Sequence, residues 1–338
     1  MSITLSILDQ SPIYPGGTAA EALAYTVQLA QAAERLGYRR FWVSEHHDSE
    51  QLAGSSPEVL ISYLLAKTDT IRIGSGGVML QHYSPYKVAE NFNVLAALAP
   101  GRVDLGIGRA PGGLPRSTQA LQRGAADPAS LTDKIVELDG YIHNRLADDH
   151  PLTGLKAAPV TEQPPEIYVL GASVGSAEIA ASLGLPYVFS LFINGDESVA
   201  LEAIRSYREA FNTEKGTAPK AIIALATAVA DTEEEAAALV GAQKLVKIHL
   251  ESGKTLTLGT REQAEEFGRQ AGEAYSVEEQ EPFITKGTKE SVRAKLEALH
   301  QASGVEEFIV TSNIAPFEQR LRSFELLSEA LNSAVAEV

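Results

Sequence analysis

Short apolar runs alternate with longer segments of helical periodicity along this chain. Apolar runs typical of strands lie at residues 3–8, 41–43, 71–80, 103–108, 167–170, 187–191, 221–229 and 307–311. Between them, apolar residues recur every three or four positions, as at Leu23, Val27 and Ala30, which indicates helices packed on a core. Eight strand–helix alternations predict parallel strands joined by crossover helices, and at 338 residues they favour a closed (β/α)8 TIM barrel.

Capping and turn signals set the boundaries of several helices. Thr18 and Glu21 have the spacing of a capping box, and Gly37 ends the helix that follows. Residues 109–130 and 150–165 are rich in Gly or Pro and are predicted to be loops or irregular structure. Further helices are predicted at residues 57–67, 85–98, 131–146, 197–211 and 317–331, with others beginning near residues 175 and 231.

An open doubly wound sheet is the alternative architecture. Against it, the first strand–helix turn, residues 9–12, lacks the Gly-rich fingerprint of a dinucleotide-binding fold. The polar stretch 251–281 shows no obvious strand, so we predict helix plus loop there. We interpret the region at about 251–285 as an insertion that could act as a mobile lid on a single domain spanning residues 1–338.

Charge and composition narrow the classes of function. The chain has 28 Lys and Arg against 44 Asp and Glu, a net charge of −16, which opposes binding to nucleic acid or anionic membranes. It contains no Cys, which excludes disulfides, thiolate metal ligands and a Cys nucleophile. Neither a signal-peptide pattern nor a membrane-length apolar run of about 18 residues is present, so we expect a cytoplasmic protein.

Barrel enzymes place their chemistry on the loops after the strands. Two neighbouring histidines, His46 and His47, follow the second predicted strand, and His82 follows the third. An imidazole there could act as a general base or donate a hydrogen bond to an anion. Alternatively, one of the pair is a structural residue pointing away from the barrel. Metal binding would need further ligands from other strands, and we predict none.

Three other strand ends have features of a ligand site. Arg109 directly follows the fourth strand and suits a phosphate or carboxylate, although a structural ion pair would explain it equally well. Small residues at 171–176 could leave backbone N–H groups free at a helix start to hold a phosphate, or they form an ordinary capped turn. Glycines at 74, 76 and 77 indicate either close approach of a flat ligand to the strand or a simple bulge.

Together these segments resemble the bacterial-luciferase-like, flavin-dependent oxidoreductases over nearly the whole chain. The matching motifs are Phe-Trp-Val-Ser-Glu-His-His at 41–47, Ile-Gly-Ser-Gly-Gly-Val at 73–78 and Gly-Arg-Val-Asp-Leu-Gly-Ile-Gly-Arg at 101–109. Ser84-Pro85, Glu90 and Gly-Leu-Pro at 184–186 also fit. The resemblance implies a (β/α)8 barrel that binds reduced FMN and acts as a monooxygenase on a small organic substrate with O2.

The resemblance also implies roles for individual residues and partners. His46 would be the catalytic histidine beside the flavin, and a cis peptide bond between Gly76 and Gly77 would lie beneath the flavin ring. The phosphate would be bound by Arg109, Ser173, Gly175 and Ser176. His82 and Phe192 would line the substrate pocket. A separate flavin reductase would supply FMNH2, and the protein would be a homodimer through its second and third helices.

Two departures from the family pattern bear on this expectation. Bacterial luciferase has a reactive Cys where this chain has Gly108 and an acidic residue where it has Ala172, which argues against light emission. A deazaflavin-dependent dehydrogenase would share the barrel but would need a basic groove for its longer polyanionic tail. A non-catalytic flavin-binding protein or a metal-dependent barrel hydrolase would also be compatible with a barrel of this kind.

Overall fold

A closed barrel of eight parallel strands forms the body of the computed structural model, which describes residues 3–123, 129–241 and 244–332. Numbered along the chain, its strands are β1 (Thr4–Asp9), β2 (Arg40–Val43), β3 (Arg72–Val78), β4 (Val103–Ile107), β5 (Glu166–Gly171), β6 (Tyr187–Ser190), β7 (Ala221–Val229) and β12 (Glu307–Thr311). They pair in sequence order, and β7 closes the barrel by pairing with both β6 and β12. The predicted TIM barrel is therefore confirmed.

Most of the helices pack around the outside of this barrel. In chain order, the helices of the described residues are α1 (Ala19–Arg35), α2 (Pro57–Leu65), α3 (Pro85–Leu98), α4 (Pro115–Leu121), α5 (Leu131–Ile142), α6 (Val174–Ser182), α7 (Leu191–Asn194), α8 (Glu197–Glu209), α9 (Glu233–Val240), α10 (Arg261–Ala271), α11 (Lys289–Ser303) and α12 (Phe317–Asn332). The capping box at α1 is present, because the Glu21 N–H donates to Thr18 Oγ1 and the Thr18 N–H donates to Glu21 Oε2. Across the described ranges, no helix has both the length and the apolar character needed to cross a bilayer.

Two short helices lie where only loop or strand was predicted. α4 interrupts the Gly- and Pro-rich segment after β4, and α7 begins at Leu191, which the sequence pattern assigns to the preceding strand. A 3-10 turn at Leu80–His82 likewise takes the last residue of the predicted third strand. All three follow the C-terminal end of a barrel strand, where the chain leaves the sheet.

A network of buried charges fills the N-terminal end of the barrel. Arg40, whose side chain is inaccessible to solvent, donates to Asp104 at 2.7 Å and to Glu307 at 2.5 Å. The Trp42 indole N–H also donates to Asp104, at 2.9 Å. Farther along the strands an apolar cluster packs inside the barrel; it comprises Leu8, Trp42, Tyr168, Val188, Ile222, Ala224 and Ile309. These two layers fill the barrel below its C-terminal mouth.

The prediction of helix plus loop without strands at 251–281 is wrong. The chain between α9 and α11 forms a small antiparallel sheet of β8 (Leu245–Leu250), β9 (Thr255–Leu258) and β10 (Tyr275–Gln280), with β8 in the middle and α10 on one face. A fourth strand, β11 (Ile284–Gly287), pairs in parallel with the end of β7. The chain thus returns to the barrel wall before α11.

One amphipathic helix explains how this insertion folds. In β8 the buried Val246, Ile248 and Leu250 alternate with partly exposed residues, and α10 covers them with Ala264 and Phe267. Because α10 covers only one face of the sheet, buried and exposed residues alternate along β8. We call residues 244–282 the insertion below.

Candidate active site

The strand order gathers the predicted site residues along one side of the barrel mouth. β2, β3, β4 and β5 are consecutive neighbours in the sheet. His46 follows β2, Gly76 and Gly77 lie in β3, Arg109 follows β4, and residues 173–176 follow β5. Because the C-terminal ends of parallel strands meet at one edge, these side chains share one rim. Phe192, in α7 after β6, packs on the apolar cluster inside the barrel and extends this side of the mouth.

Glycines on β3 and β4 leave the wall of the mouth without side chains. A Cβ on Gly76 would lie 2.7 Å from Leu8 Cδ1, and one on Gly77 would lie 2.7 Å from the Gly106 carbonyl oxygen. A Cβ on Gly106 would lie 2.1 Å from the Ser75 carbonyl oxygen. The Gly76–Gly77 peptide bond is cis, as the resemblance implies. Side chains at these three positions would collide with the core or with the neighbouring strand, so β3 and β4 present only backbone here.

His46 is held as a neutral imidazole at the end of β2. Its Nδ1 lies 3.0 Å from Ser44 Oγ, and its backbone N–H donates to the Gly54 carbonyl. Burial lowers its pKa to about 4, the Glu45 carboxylate opposes this shift and His47 adds to it. At neutral pH the ring can therefore accept a proton or donate one from a neutral nitrogen.

A buried carboxylate organises the neighbouring histidine. Glu45 Oε1 lies 2.7 Å from His47 Nε2 and accepts from the Tyr83 hydroxyl at 2.7 Å, while Oε2 accepts from the Met79 N–H at 3.0 Å. Burial and then the Glu45 charge raise the pKa of Tyr83, so its phenol stays protonated as a donor. The backbone N–H of His47 donates to Gly112 in the loop after β4. Of the two histidines, His47 thus has the contacts of a structural residue.

His82 fastens two loops together. Its Nε2 lies 2.8 Å from the Pro111 carbonyl oxygen, so Nε2 donates, and its Nδ1 lies 3.1 Å from the Gln122 side-chain nitrogen. The ring is buried, and both nitrogens have protein partners. His82 therefore supports the loop after β4, and its contacts do not favour the role of a substrate-binding residue.

Arg109 is exposed and available to an anion. Within the described part of the chain no carboxylate pairs with its guanidinium, although its carbonyl oxygen accepts from the Gln81 side chain. The ion-pair explanation for this residue therefore has no support in the structure. Its neighbour across the sheet is the start of α6, at the end of β5.

The start of α6 offers an electropositive turn without acidic residues. Ser173 caps the helix by accepting from the Ser176 N–H at 3.3 Å. The Ser176 hydroxyl is already engaged, since it donates to the Ser173 carbonyl at 2.7 Å and lies 2.9 Å from the Tyr187 hydroxyl. A Cβ on Gly175 would meet nothing within 4 Å, so space is open beside this turn. An anion would therefore meet the N–H groups of Val174 and Gly175 and the Ser173 hydroxyl rather than the Ser176 side chain.

The insertion touches loops on both sides of these residues. Gln270 of α10 accepts from the Arg116 backbone N–H at 3.0 Å, and Leu114 packs on the apolar cluster of the insertion. Gly259, just before α10, lies beside the Gln51 side chain in the loop after β2. The insertion therefore lies across the rim formed by β2, β3 and β4.

Sequence patterns locate the strand ends but miss their partners. No local sequence motif marks Tyr83 as the partner of Glu45, and none marks α4 as the support of the insertion. Both contacts depend on packing between separate loops. Within residues 3–123, 129–241 and 244–332, no three His, Cys, Asp or Glu side chains are grouped as metal ligands would be.

Comparison with known proteins places this geometry in context. Residues 3–307 match the family model of luciferase-like monooxygenases. The N-acetyl-S-alkylcysteine monooxygenase of Bacillus subtilis is 45% identical, over 98% of this chain and 99% of that protein. A luciferase-like monooxygenase of Escherichia coli is 34% identical, over 96% of each. The crystal structure of apo-MsnO8 has 36% identity and a TM-score of 0.79, covering 98% of both chains.

Proposed function

The chain belongs to the family of luciferase-like monooxygenases, and we propose that it uses reduced FMN and O2 to oxygenate a small organic substrate. The observation that carries this proposal is the backbone wall of Gly76 and Gly77, which lies between His46 on one neighbouring strand and the anion-ready loops after β4 and β5 on the other side. A reduced flavin, when bound, supplies the two electrons that reduce one oxygen atom to water while the other enters the substrate.

The residues present fit the phosphate and the ring of FMN. Arg109 would bind the phosphate through its unpaired guanidinium, together with the Ser173 hydroxyl and the free N–H groups at the start of α6. The ring would lie against the Gly76–Gly77 backbone, with Phe192 on the far side excluding water. A deazaflavin has a longer polyanionic tail, whose further charges would have to be met by cations besides Arg109 in a chain of net charge −16.

His46 would handle a proton at the reacting face. With the Ser44 hydroxyl donating to Nδ1, the His46 proton would sit on Nε2 and be presented to the ligand. The low pKa keeps the ring neutral at physiological pH, so it would act as a hydrogen-bond donor rather than as a fixed positive charge. His46→Ala should then reduce turnover far more than it weakens flavin binding.

The substrate we propose is a thioether of the N-acetyl-S-alkylcysteine type. The relative named for that activity is 45% identical over almost the full length of both chains. The electrons would come from a separate NAD(P)H-dependent flavin reductase. N-acetyl-S-ethylcysteine is a suitable first probe.

We also propose a homodimer formed through α2 and α3. These helices contact each other and expose four large apolar side chains, Val59, Tyr63, Val94 and Leu98, of which Leu98 is 70% exposed. Large apolar side chains exposed together on adjoining helices favour association with a second protein surface.

An anaerobic titration with FMNH2, FMN and reduced deazaflavin tests the cofactor, and air is then admitted with and without the thioether. We expect FMNH2 to bind most tightly and the thioether to be oxygenated with consumption of O2. Preference for deazaflavin would instead support a dehydrogenase. Flavin binding without oxygenation of any member of a thioether, aldehyde and sulfonate panel would support a binding protein.

A further inference from the structure

Among the connections that join a barrel strand to the helix after it, only the segment after β4 carries Lys or Arg. The loops after β1, β3, β5 and β12 contain no Asp, Glu, Lys or Arg, and those after β2, β6 and β7 contain only acidic ones. The segment after β4 has the opposite charge, because it contains Arg109, Arg116 and Arg123 and no acidic residue before Asp127. In a chain with 44 acidic residues, this local excess of cations singles out the loop.

These arginines are not used within the protein. Among the residues that the structure describes, Arg109, Arg116 and Arg123 are exposed and their guanidinium groups form no ion pair. By contrast, Arg40, Arg72 and Arg320 all pair with buried carboxylates. The rim arginines are therefore free to bind an external anion. The phosphate of the flavin would engage Arg109 and leaves the other two without a ligand.

Arg116 is the one of these two that contacts the insertion. Its backbone N–H donates to Gln270 of α10 at 3.0 Å, and the preceding Leu114 packs on the insertion's apolar cluster. On the other side, Gly112 accepts from the His47 N–H at 2.7 Å. Arg116 thus lies on a short segment held between the insertion and the histidine pair, whereas Arg123 lies beyond the end of α4.

We propose that the substrate of this site is a carboxylate and that Arg116 binds it beneath the insertion. A guanidinium binds a carboxylate through two parallel hydrogen bonds, which also fixes its orientation. The acidic loops after β2 and β6 would repel the same group, which leaves the cationic segment after β4 as the part of the rim that would attract it. This proposal rests on the proposed function for the place of the substrate and for its carboxylate, and it adds the residue that binds and selects that group.

Calorimetry with an unreactive ligand tests the proposal without requiring turnover. N-acetylnorleucine replaces the sulfur of N-acetyl-S-ethylcysteine by a methylene, and its primary amide is the neutral counterpart. We expect the FMN-loaded protein to bind the acid at least about tenfold more tightly than the amide. In Arg116→Gln this preference should disappear, in Arg116→Lys it should be partly retained, and in Arg123→Gln it should be unchanged.

The outcomes separate this proposal from the proposed function. Equal binding of acid and amide by the wild type, or an undiminished preference in Arg116→Gln, would overturn the assignment of Arg116 whether or not the protein is an oxygenase. Loss of preference in Arg123→Gln as well would show general attraction by the loop and would also overturn it. If the thioether is oxygenated, KM for the acid should rise about tenfold in Arg116→Gln with kcat nearly unchanged.

Discussion

The Tyr83 hydroxyl donates a 2.7 Å hydrogen bond to the buried carboxylate of Glu45, 38 residues earlier in the chain. Glu45 lies just after β2, and Tyr83 follows the 3-10 turn after β3, so this bond joins the ends of two neighbouring barrel strands. With His47 and the Met79 N–H, it gives the carboxylate three donors. A buried carboxylate requires such partners, because burial without them is costly.

Removing one of those donors should weaken the fold measurably. Tyr83→Phe deletes the hydroxyl and leaves the buried carboxylate of Glu45 with one partner fewer, which should cost about 1–3 kcal/mol in the free energy of unfolding. Urea denaturation measures the loss. Tyr275→Phe, at a residue that is 38% exposed, is the matched control and should change little. Identical unfolding curves for the two variants would contradict the role given to this bond.

The charged network at the other end of the barrel should matter more. Asp104 accepts from Arg40, Arg72 and the Trp42 indole, and its side chain is completely buried. Asp104→Asn leaves Arg40 short of negative charge in the barrel interior, so we expect a loss of about 3–5 kcal/mol. Lys87→Gln breaks the exposed pair with Glu90 and should cost less than about 1 kcal/mol. Chemical denaturation of both variants measures the two losses in the free energy of unfolding and tests whether burial causes the difference between them.

The barrel could be predicted from sequence because its signals are local. Each barrel strand is a short apolar run, and α1 begins with a capping box that is present as expected. The prediction misses the strands of the insertion, although Val246, Ile248 and Leu250 alternate along β8 and β9 reads Thr-Leu-Thr-Leu, the period-two pattern of a half-buried strand. β10 lacks that alternation, and the polar residues around these short runs outweigh the strand pattern.

The candidate site, like the fold, could be predicted from sequence only in part. His46 and Arg109 are found from sequence because each follows an apolar strand directly, where barrel enzymes place polar residues. Their surroundings are not found, since the bond between Glu45 and Tyr83 depends on the packing of two loops. The Ser176 hydroxyl shows the same limit: sequence suggests a ligand contact, while the structure engages it with Ser173 and Tyr187.

The depressed pKa of His46 predicts a specific dependence of stability on pH. Its folded-state pKa of about 4 lies below the value near 6.5 expected when unfolded, so the unfolded chain takes up the proton first. The free energy of unfolding is therefore unaffected by this group above pH of about 6.5, and it decreases as the pH falls towards about 4. Relative to His46→Gln, the wild type should lose about 1–2 kcal/mol over this window, allowing for partial exposure. Parallel curves of unfolding free energy against pH for the two proteins would rule this out.

If the exposed apolar side chains of α2 and α3 form the dimer interface, one charged residue placed among them should dissociate the dimer. Leu98 is 70% exposed on α3, and a charged residue in the centre of an apolar interface would be desolvated without a partner. Leu98→Asp should convert the dimer to a monomer in analytical ultracentrifugation. Val160→Asp, at a residue 58% exposed and outside these two helices, should leave the sedimentation coefficient unchanged. A monomeric wild type would contradict the proposed dimer itself.

The start of α6 offers a test of phosphate binding that separates charge from shape. A Cβ on Gly175 meets nothing within 4 Å and the first turn has no acidic residue, so both Ala and Asp should be accommodated. An acid in the first turn of a helix favours the helix itself, so Gly175→Asp should fold normally. It should nevertheless repel the phosphate and weaken FMN binding at least about tenfold, as should Arg109→Gln, while Gly175→Ala retains affinity. Riboflavin, which has no phosphate, is the matched ligand: its binding should be the same in all four proteins. A titration in which Gly175→Asp weakens FMN and riboflavin equally would mean that the ring, and not the phosphate, lies beside this turn.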